Sequence, residues 1–219
     1  MKKSFVAGLA VLAVAAMVST AAHAREVYGN IGTEGLGIGY SEPLGTYNNV
    51  RAEVNGFSIG HNFSAGSVNY DGTLKLVHAG IYADFFPAPS IVPFRFTAGV
   101  LIGDDELNAT ATSMSGSYTF NGVTVPANGE QVRATAKFPT VRPYVGIGFG
   151  HTPKAKKGFS AFFDAGVAFG KPHLNYEVPA NIVAAAGAEN VAAEEQSLQD
   201  KVNKVHIYPI VKVGITYRF

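Results

Sequence analysis

Charged residues recur at every second position of several apolar segments. Arg51 and Glu53 alternate with the apolar residues of Val50–Val54, and Asp164 stands in the middle of Phe159–Phe169. Because successive side chains of a β-strand point to opposite faces, each such charge lies on the face opposite the apolar residues. The candidate lumen-lining positions of this kind are Arg51, Glu53, His78, Asp84, Arg95, Arg133, Lys137, Asp164 and Lys212.

Two kinds of chemistry suit these charges if the strands close into a ring. In an open lumen, Glu53, Asp84 and Asp164 would attract a small cationic solute, as rings of charge select ions in pores. In a narrow lumen, the acidic and basic side chains would pair with each other and form a plug, because a buried charge needs a partner. The sequence leaves both alternatives open.

The sequence offers little support for catalysis or for a metal. His61, Ser64 and His78 fall on neighbouring predicted strands, but nothing shows the nucleophile, base and orienting group that covalent catalysis requires. The histidines after residue 24 lack metal-ligand spacing, and cysteine is absent. We therefore predict a protein that is not an enzyme and has no metal site and no cofactor.

Alternating segments predict about eight strands that would hold the charges. The apolar face of each is nearly continuous, as in Phe159, Ala161, Phe163, Ala165 and Val167, whereas the other face combines glycines with charges. The predicted strands lie near 27–41, 48–63, 71–86, 93–105, 130–139, 142–151, 158–170 and 206–219. Past Gly56 the apolar parity flips to Phe57 and Ile59, which predicts a β-bulge.

An apolar outer face and a polar inner face are typical of a membrane barrel. The chain ends with apolar residues at every second position back from Phe219. We predict that Tyr217 and Phe219 form a C-terminal signal read by the barrel-assembly machinery. The predicted fold is all-β: a small antiparallel transmembrane β-barrel of about eight strands, whose partners include outer-membrane lipid and lipopolysaccharide. A soluble sandwich is the weaker alternative.

Residues 1–24 have the pattern of a secretory signal peptide. Lys2 and Lys3 precede the apolar run Phe5–Val18, and Ala22-His23-Ala24 is a small-x-small cleavage site. Cleavage would leave 25–219 as an outer-membrane barrel, localised to the cell outer membrane. Two of the 17 Lys and Arg residues fall in the first 24, so 15 basic residues balance 16 acidic ones, which gives no reason to expect nucleic acid as a partner.

Two connections between the predicted strands are long. The first, 106–129, contains a hairpin signal at Asn121-Gly122, and the second contains a predicted short amphipathic helix over Ala188–Val205, before the last strand. If Phe219 is periplasmic, the helical connection is external. Counting back through eight strands then places 106–129 in the periplasm, although such barrels keep periplasmic turns short.

The order of motifs in the second half of the chain resembles the CarO-type outer-membrane proteins, the carbapenem-associated, ornithine-uptake porin family. The motifs are Pro143–Gly150, the lysine-rich turn Pro153–Gly158, Asp164–Val167, Gly170–Pro172 and Tyr208–Gly214, with weaker matches at Gly32–Gly37 and Phe94–Gly99. The resemblance implies an eight-stranded barrel that passes small basic amino acids. It carries over no set of binding residues.

Two functions remain as predictions. The first is a passive channel for small solutes such as basic amino acids. The second is a non-conducting structural or surface-interaction barrel, either adhesin-like or envelope-stabilising, with loops around Tyr118 and Phe120 available to a partner. In either case Lys154, Lys156 and Lys157 would contact lipopolysaccharide phosphates if their turn is external.

Overall fold

A computed structural model describes residues 25–65 and 68–219, and eight antiparallel strands in it form a closed ring. The ring strands, in spatial order, are β1 (Glu26–Gly32), β2 (Gly35–Pro43), β3 (Asn48–Ala65), β4 (Val68–Phe85), β5 (Phe94–Gly103), β10 (Val141–Phe149), β11 (Gly158–Phe169) and β13 (Ile207–Arg218). Pairing of β1 with β13 closes the ring. The remaining elements are β6 (Glu106–Ser113), β7 (Ser117–Phe120), β8 (Val123–Pro126), β9 (Gln131–Lys137), β12 (His173–Glu177), α1 (Ala180–Ala186) and α2 (Ala188–Asn203).

The two faces of the ring differ sharply in exposure. Large apolar side chains point outward and stay exposed, with Ile38 at 69% and Ile215 at 62%. Charged side chains point inward and are buried, with Arg95 at 0% and Asp164 at 1%. The period-two pattern of the sequence therefore places its apolar face outside and its charges inside, the reverse of a soluble sandwich.

A second body, here called the lobe, continues the sheet beyond one end of the ring. It consists of the far halves of β3 and β4 together with β6 to β9, β12 and the two helices. There β4 leaves β5 and pairs with β6, after which β9 and β12 follow. The β7–β8 hairpin turns at Asn121 and Gly122, whose φ angles of 46° and 84° suit a two-residue turn, so the predicted hairpin is confirmed.

The lobe has its own apolar core between the sheet, the hairpin and the helices. Its buried members are Tyr118, Phe120, Val125, Ala127, Val132, Ile182 and Ala186. The Tyr118 hydroxyl oxygen also lies 2.9 and 2.8 Å from the carbonyl oxygens of Ala111 and Glu130, either of which can accept its single proton, and this ties the hairpin to β6 and to the start of β9. The helix predicted over 188–205 is confirmed as α2, whereas α1 was not predicted.

Both long connections leave the same end of the ring, here called the lobe end. They span 104–140 and 170–206. The opposite end, here called the terminal end, carries both termini of the described chain and only the connections 44–47, 86–93 and 150–157. Among the helices of the described part of the chain, none is long and apolar enough to cross a membrane.

Two compensating errors produced the predicted strand count. The segment 27–41 is two strands, β1 and β2, which turn at Thr33 and Glu34, whereas 130–139 contains β9, which lies in the lobe. Correcting both removes the orientation conflict, because 106–129 and the helical connection then emerge at the same end.

The predicted bulge at Gly56 is also wrong. The register of β3 against β4 is continuous from Asn48 to Ala65. The apolar parity changes because Gly56, opposite Leu36, is the last residue of β3 that pairs with β2. Beyond it β3 leaves the ring, and its other face becomes the apolar one in the lobe. The predicted signal peptide, 1–24, lies outside the described residues.

Candidate functional site

The lumen of the ring holds a dense set of charged side chains, none more than 4% exposed. They are Glu26, Glu34, Arg51, Glu53, His78, Asp84, Arg95, Asp105, Arg142, His151, Asp164, Lys212 and Arg218. An eight-stranded ring is only wide enough for side chains to fill it, so these groups must satisfy one another. Their ion pairs form three clusters, although some buried nitrogens, such as Nε and Nη2 of Arg142, have no hydrogen-bond partner among the described residues.

The arginine–aspartate cluster comprises Arg51, Asp84, Arg95 and Asp164. Arg51 forms a bidentate pair with Asp84, in which Nε donates to Oδ2 at 2.6 Å and Nη2 donates to Oδ1 at 3.1 Å. The third nitrogen, Nη1, lies 3.3 Å from Asp164 Oδ2. Arg95 pairs with Asp164 through Nη2 and lies 3.4 Å from Asp84 through Nε. Thr97 Oγ1 donates to Asp84 Oδ1 at 2.7 Å. Each carboxylate thus bridges both guanidinium groups.

The lysine–histidine cluster lies nearer the lobe end and comprises Glu34, Glu53, His78, Asp105, Arg142 and Lys212. Lys212 Nζ is 2.5 Å from Glu53 Oε1 and 3.1 Å from Glu34 Oε2. Glu53 also accepts hydrogen bonds from the hydroxyls of Tyr82, at 2.9 Å, and Tyr28, at 3.1 Å. Lys212 is therefore held between two carboxylates at the centre of the lumen.

His78 links the two acidic groups at the lobe end of this cluster. Its Nε2 lies 2.7 Å from Glu34 Oε1 and its Nδ1 lies 3.1 Å from Asp105 Oδ2. A carboxylate can only accept, so both ring nitrogens must donate and the imidazole is protonated. Arg142 Nη1 lies 2.5 Å from Asp105 Oδ2. Burial opposes ionisation of Asp105, but the hydrogen bonds and charges of His78 and Arg142 outweigh it and lower the pKa of Asp105.

The terminal cluster comprises Glu26, His151 and Arg218. Glu26 pairs with Arg218 Nη2 at 3.0 Å and with His151 Nδ1. Burial lowers the pKa of His151, and the charges of Arg95 and Arg51 add to this against the opposing hydrogen bond to Glu26, so the neutral imidazole is favoured. His151 packs edge-on against Tyr28, with ring centroids 4.7 Å apart.

Taken together, the clusters balance in charge. Six carboxylates, those of Glu26, Glu34, Glu53, Asp84, Asp105 and Asp164, face five Arg and Lys side chains and the protonated His78. Aromatic rings fill the space between the clusters, with Tyr82 and Tyr144 edge-to-face at 5.2 Å. The result is a neutral, filled lumen.

Glycines on neighbouring strands make room for these aromatic rings. A Cβ added at Gly39 would collide with the Tyr28 ring, and one added at Gly80 would collide with the Tyr82 ring. The glycine-rich inner face that the sequence shows is therefore a packing surface for tyrosines.

Seven of the nine predicted lumen positions lie inside the ring. They are Arg51, Glu53, His78, Asp84, Arg95, Asp164 and Lys212. The prediction is wrong for Arg133 and Lys137, because β9 belongs to the lobe sheet and both side chains are exposed there. Tyr217 and Phe219, the predicted assembly signal, are exposed at 42% and 47% at the terminal end.

Six buried charges were missed, for two different reasons. Glu26, Arg142 and Arg218 share the inward parity of their strands, so the alternation rule could have found them. By contrast, Glu34, Asp105 and His151 lie in connections, where no periodicity marks them.

No protein-family model and no curated protein matches the chain by sequence. Among solved structures, it is similar to Acinetobacter baumannii CarO2, with 20% identity and a TM-score of 0.59 over 90% of this chain and 99% of that one. It is also similar to Acinetobacter baumannii CarO, with 19% identity and a TM-score of 0.53 over 89% and 97% of the two chains. The resemblance noted in the sequence is confirmed at the level of fold: the chain has a CarO-type fold.

Proposed function

We propose that this chain is a transmembrane β-barrel of an outer membrane, made with a cleaved signal at 1–24. The support is the outer face of the ring, where large apolar side chains such as Leu36 (66% exposed) and Phe96 (51%) are uncovered. Soluble monomers rarely leave an apolar surface of this extent in water. The charged inner face agrees with the inside-out pattern of membrane barrels.

The lengths of the connections support one orientation of the proposed barrel in the membrane. Membrane barrels of this class keep their periplasmic turns short and their external loops long. The terminal end therefore faces the periplasm and the lobe faces outward. The turn with Lys154, Lys156 and Lys157 lies at the terminal end, so the proposed contact of these lysines with external lipopolysaccharide is dropped. Lipopolysaccharide is proposed as a neighbour of the lobe end instead.

Within this frame, we propose that the barrel is closed and does not conduct in its resting state. The main support for a closed barrel is the charge-balanced set of buried ion pairs across the lumen, above all Arg51 with Asp84 and Asp164. A solute could pass only by separating paired charges that are buried away from water, so that no solvent compensates for the lost ion pairs. The protein then serves to anchor the lobe, with its own apolar core, as a structural or surface-interaction body.

A passive channel for small cationic solutes, such as basic amino acids, is the second candidate. It is favoured by the acidic groups Glu34, Glu53 and Asp105, which lie along the lobe-end half of the lumen and could exchange their present partners for a cationic solute. Catalysis is not part of either proposal, since both nitrogens of His78 are committed to carboxylates.

Planar-bilayer recording of the refolded chain from Arg25 to Phe219 tests the proposal. Insertion into vesicles with a heat-modifiable folded band, but no single-channel steps with or without ornithine or arginine, is the expected result. Reproducible cation-selective steps that the amino acid alters would favour the channel. A chain that never inserts would overturn the membrane assignment itself.

The C-terminal strand offers a separate test of assembly. We propose that Tyr217 and Phe219 are read by the barrel-assembly machinery. Deleting Phe219 should lower the amount of folded protein in the outer membrane without lowering synthesis, whereas substituting Val123, an exposed hairpin residue of the lobe, by Ala should not. Equal amounts for all three chains would contradict this role.

A further inference from the structure

We propose that the outer face of the ring at its terminal end holds one anionic phospholipid, with an acyl chain in a groove along β1 and the phosphate at the lysine turn. This inference rests on the proposed membrane location. It adds a specific ligand of stated chemistry to a surface that would otherwise be in contact with bulk lipid only.

The groove follows the terminal-end half of β1, where the outward residues are smaller than those beside them on β2 and β13. Val27 and Gly29 form the bed. Ile215 and Tyr217 on β13 stand opposite them on one side, and Ile38 and Tyr40 on β2 stand opposite them on the other. The depression has a volume of about 600 Å³, within the range of pockets that hold small ligands, and its surface is mostly apolar. Such a groove fits a hydrocarbon chain.

The terminal end of the same face is strongly basic. Lys154, Lys156 and Lys157 are exposed on the 150–157 turn, and Lys154 Nζ donates to Ser90 Oγ on the neighbouring turn at 2.7 Å. The three connections at this end contain no Asp or Glu. Glu42, at the end of β2, accepts a hydrogen bond from the Tyr40 hydroxyl at 2.9 Å. The lysines therefore have no carboxylate partner within these three connections and are available to bind an external anion.

Phe159 connects the groove to the lysines. The ring centroids of Phe159 and Tyr217, a residue of the groove wall, are 4.8 Å apart, and Phe159 is 80% exposed. Lys157 precedes it by two residues, so at most about 7 Å separates their Cα atoms. A phosphate beside Lys157 and an acyl chain beside Tyr217 therefore match the layout of one phospholipid.

The flanking turns support a lipid source for the anion. Ile91 and Leu44, at 88% and 67% exposed, project from the other two connections at this end. Uncovered apolar side chains beside lysines are expected where a protein meets the head-group region of a bilayer. Free phosphate would use the lysines alone and would leave the groove without a role.

Native mass spectrometry of the refolded chain in mild detergent can test this site by titrating phosphatidylglycerol against phosphatidylcholine. Each lysine near an anionic lipid is worth about fivefold in affinity. We expect one phosphatidylglycerol to bind at least about tenfold more tightly than phosphatidylcholine. Replacing Lys154, Lys156 and Lys157 together by Gln should abolish that preference, whereas the same change at Lys171 and Lys201, in the connection at the lobe end, should not.

The groove is tested by Gly29→Leu. A Cβ at Gly29 would meet only the Gly37 carbonyl oxygen, at 3.8 Å, so the strand tolerates the change while the leucine fills the bed. Binding of both lipids at the tightest site should weaken, and Ala83→Leu, which places the same side chain on the outer face of β4, should leave it unchanged. Equal affinity for the two lipids in a properly inserted barrel would overturn the inference alone. Failure to insert would overturn the proposed function.

Discussion

Asp84 is the point at which the filled lumen can be tested most directly. Its two carboxylate oxygens receive Arg51 at 2.6 and 3.1 Å and Thr97 at 2.7 Å, while Arg95 Nε lies 3.4 Å away. The substitution Asp84→Asn keeps the size of the side chain and removes its charge. Two guanidinium groups would then share the single carboxylate of Asp164.

The expected cost follows from that imbalance. Removing one partner of a buried ion pair costs about 3–5 kcal/mol, because the remaining charge stays in a medium that solvates it poorly. Asp84 and Arg51 are 2% and 1% exposed, so water cannot replace the lost partner. Urea unfolding of the refolded protein in lipid vesicles, followed by loss of the heat-modifiable folded band, measures the difference.

Two further variants make the test specific to the lumen. Glu106→Gln removes an exposed pair, in which Glu106 and Lys137 lie 3.9 Å apart, and should cost at most about 1 kcal/mol. Adding Arg95→Met to Asp84→Asn restores the charge balance and should recover part of the loss. If Asp84→Asn and Glu106→Gln cost the same, the charges of the lumen do not hold the ring together and our account of the plug fails.

Three other predictions concern packing, pH and the lobe. Gly39→Ala should destabilise the ring by about 1–3 kcal/mol in urea unfolding, because the new methyl collides with Tyr28, whereas Gly56→Ala, with nothing within 4 Å, should cost little. Asp105→Asn should lower stability at pH 7, because a carboxyl whose pKa is lowered in the fold contributes its full stabilisation above its ordinary pKa, which is about 4. The deficit measured in urea should shrink as the pH falls from there through the lowered pKa of the folded state. A deficit that grows towards acid would contradict this. Phe120→Ala should leave a cavity in the lobe core and speed proteolytic cleavage within 114–130, while the heat-modifiable folded band of the ring persists. If the folded band disappears together with the protease resistance of the lobe, ring and lobe are one cooperative unit.

The ring and its inward charges were predictable because a strand has only two faces. Once Val50, Ala52 and Val54 are assigned to lipid, Arg51 and Glu53 have no place except the lumen. The same reasoning holds for Asp164 on β11. It requires no knowledge of which strand pairs with which.

Strand membership could not be predicted in the same way. The alternation of Val132, Arg133 and Ala134 is indistinguishable from that of a ring strand, because the lobe sheet also has one apolar and one polar face. Its apolar face is covered by the hairpin and helices instead of lipid. Only the pairing of β9 with β6 and β12, a tertiary fact, separates the two cases.

Asp105 contacts both the lobe and the charged clusters of the lumen. Asp105 lies near the start of the connection that leads into the lobe. Its carbonyl oxygen accepts a hydrogen bond at 3.0 Å from the N–H of Phe138, where the chain leaves the lobe. Its carboxylate binds the Val77 N–H at 2.8 Å as well as His78 and Arg142. A displacement of the lobe sheet therefore pulls directly on the lobe-end partners of the lumen. If bilayer recordings find a conducting state, we expect Asp105→Asn, which weakens these contacts, to raise the frequency of opening.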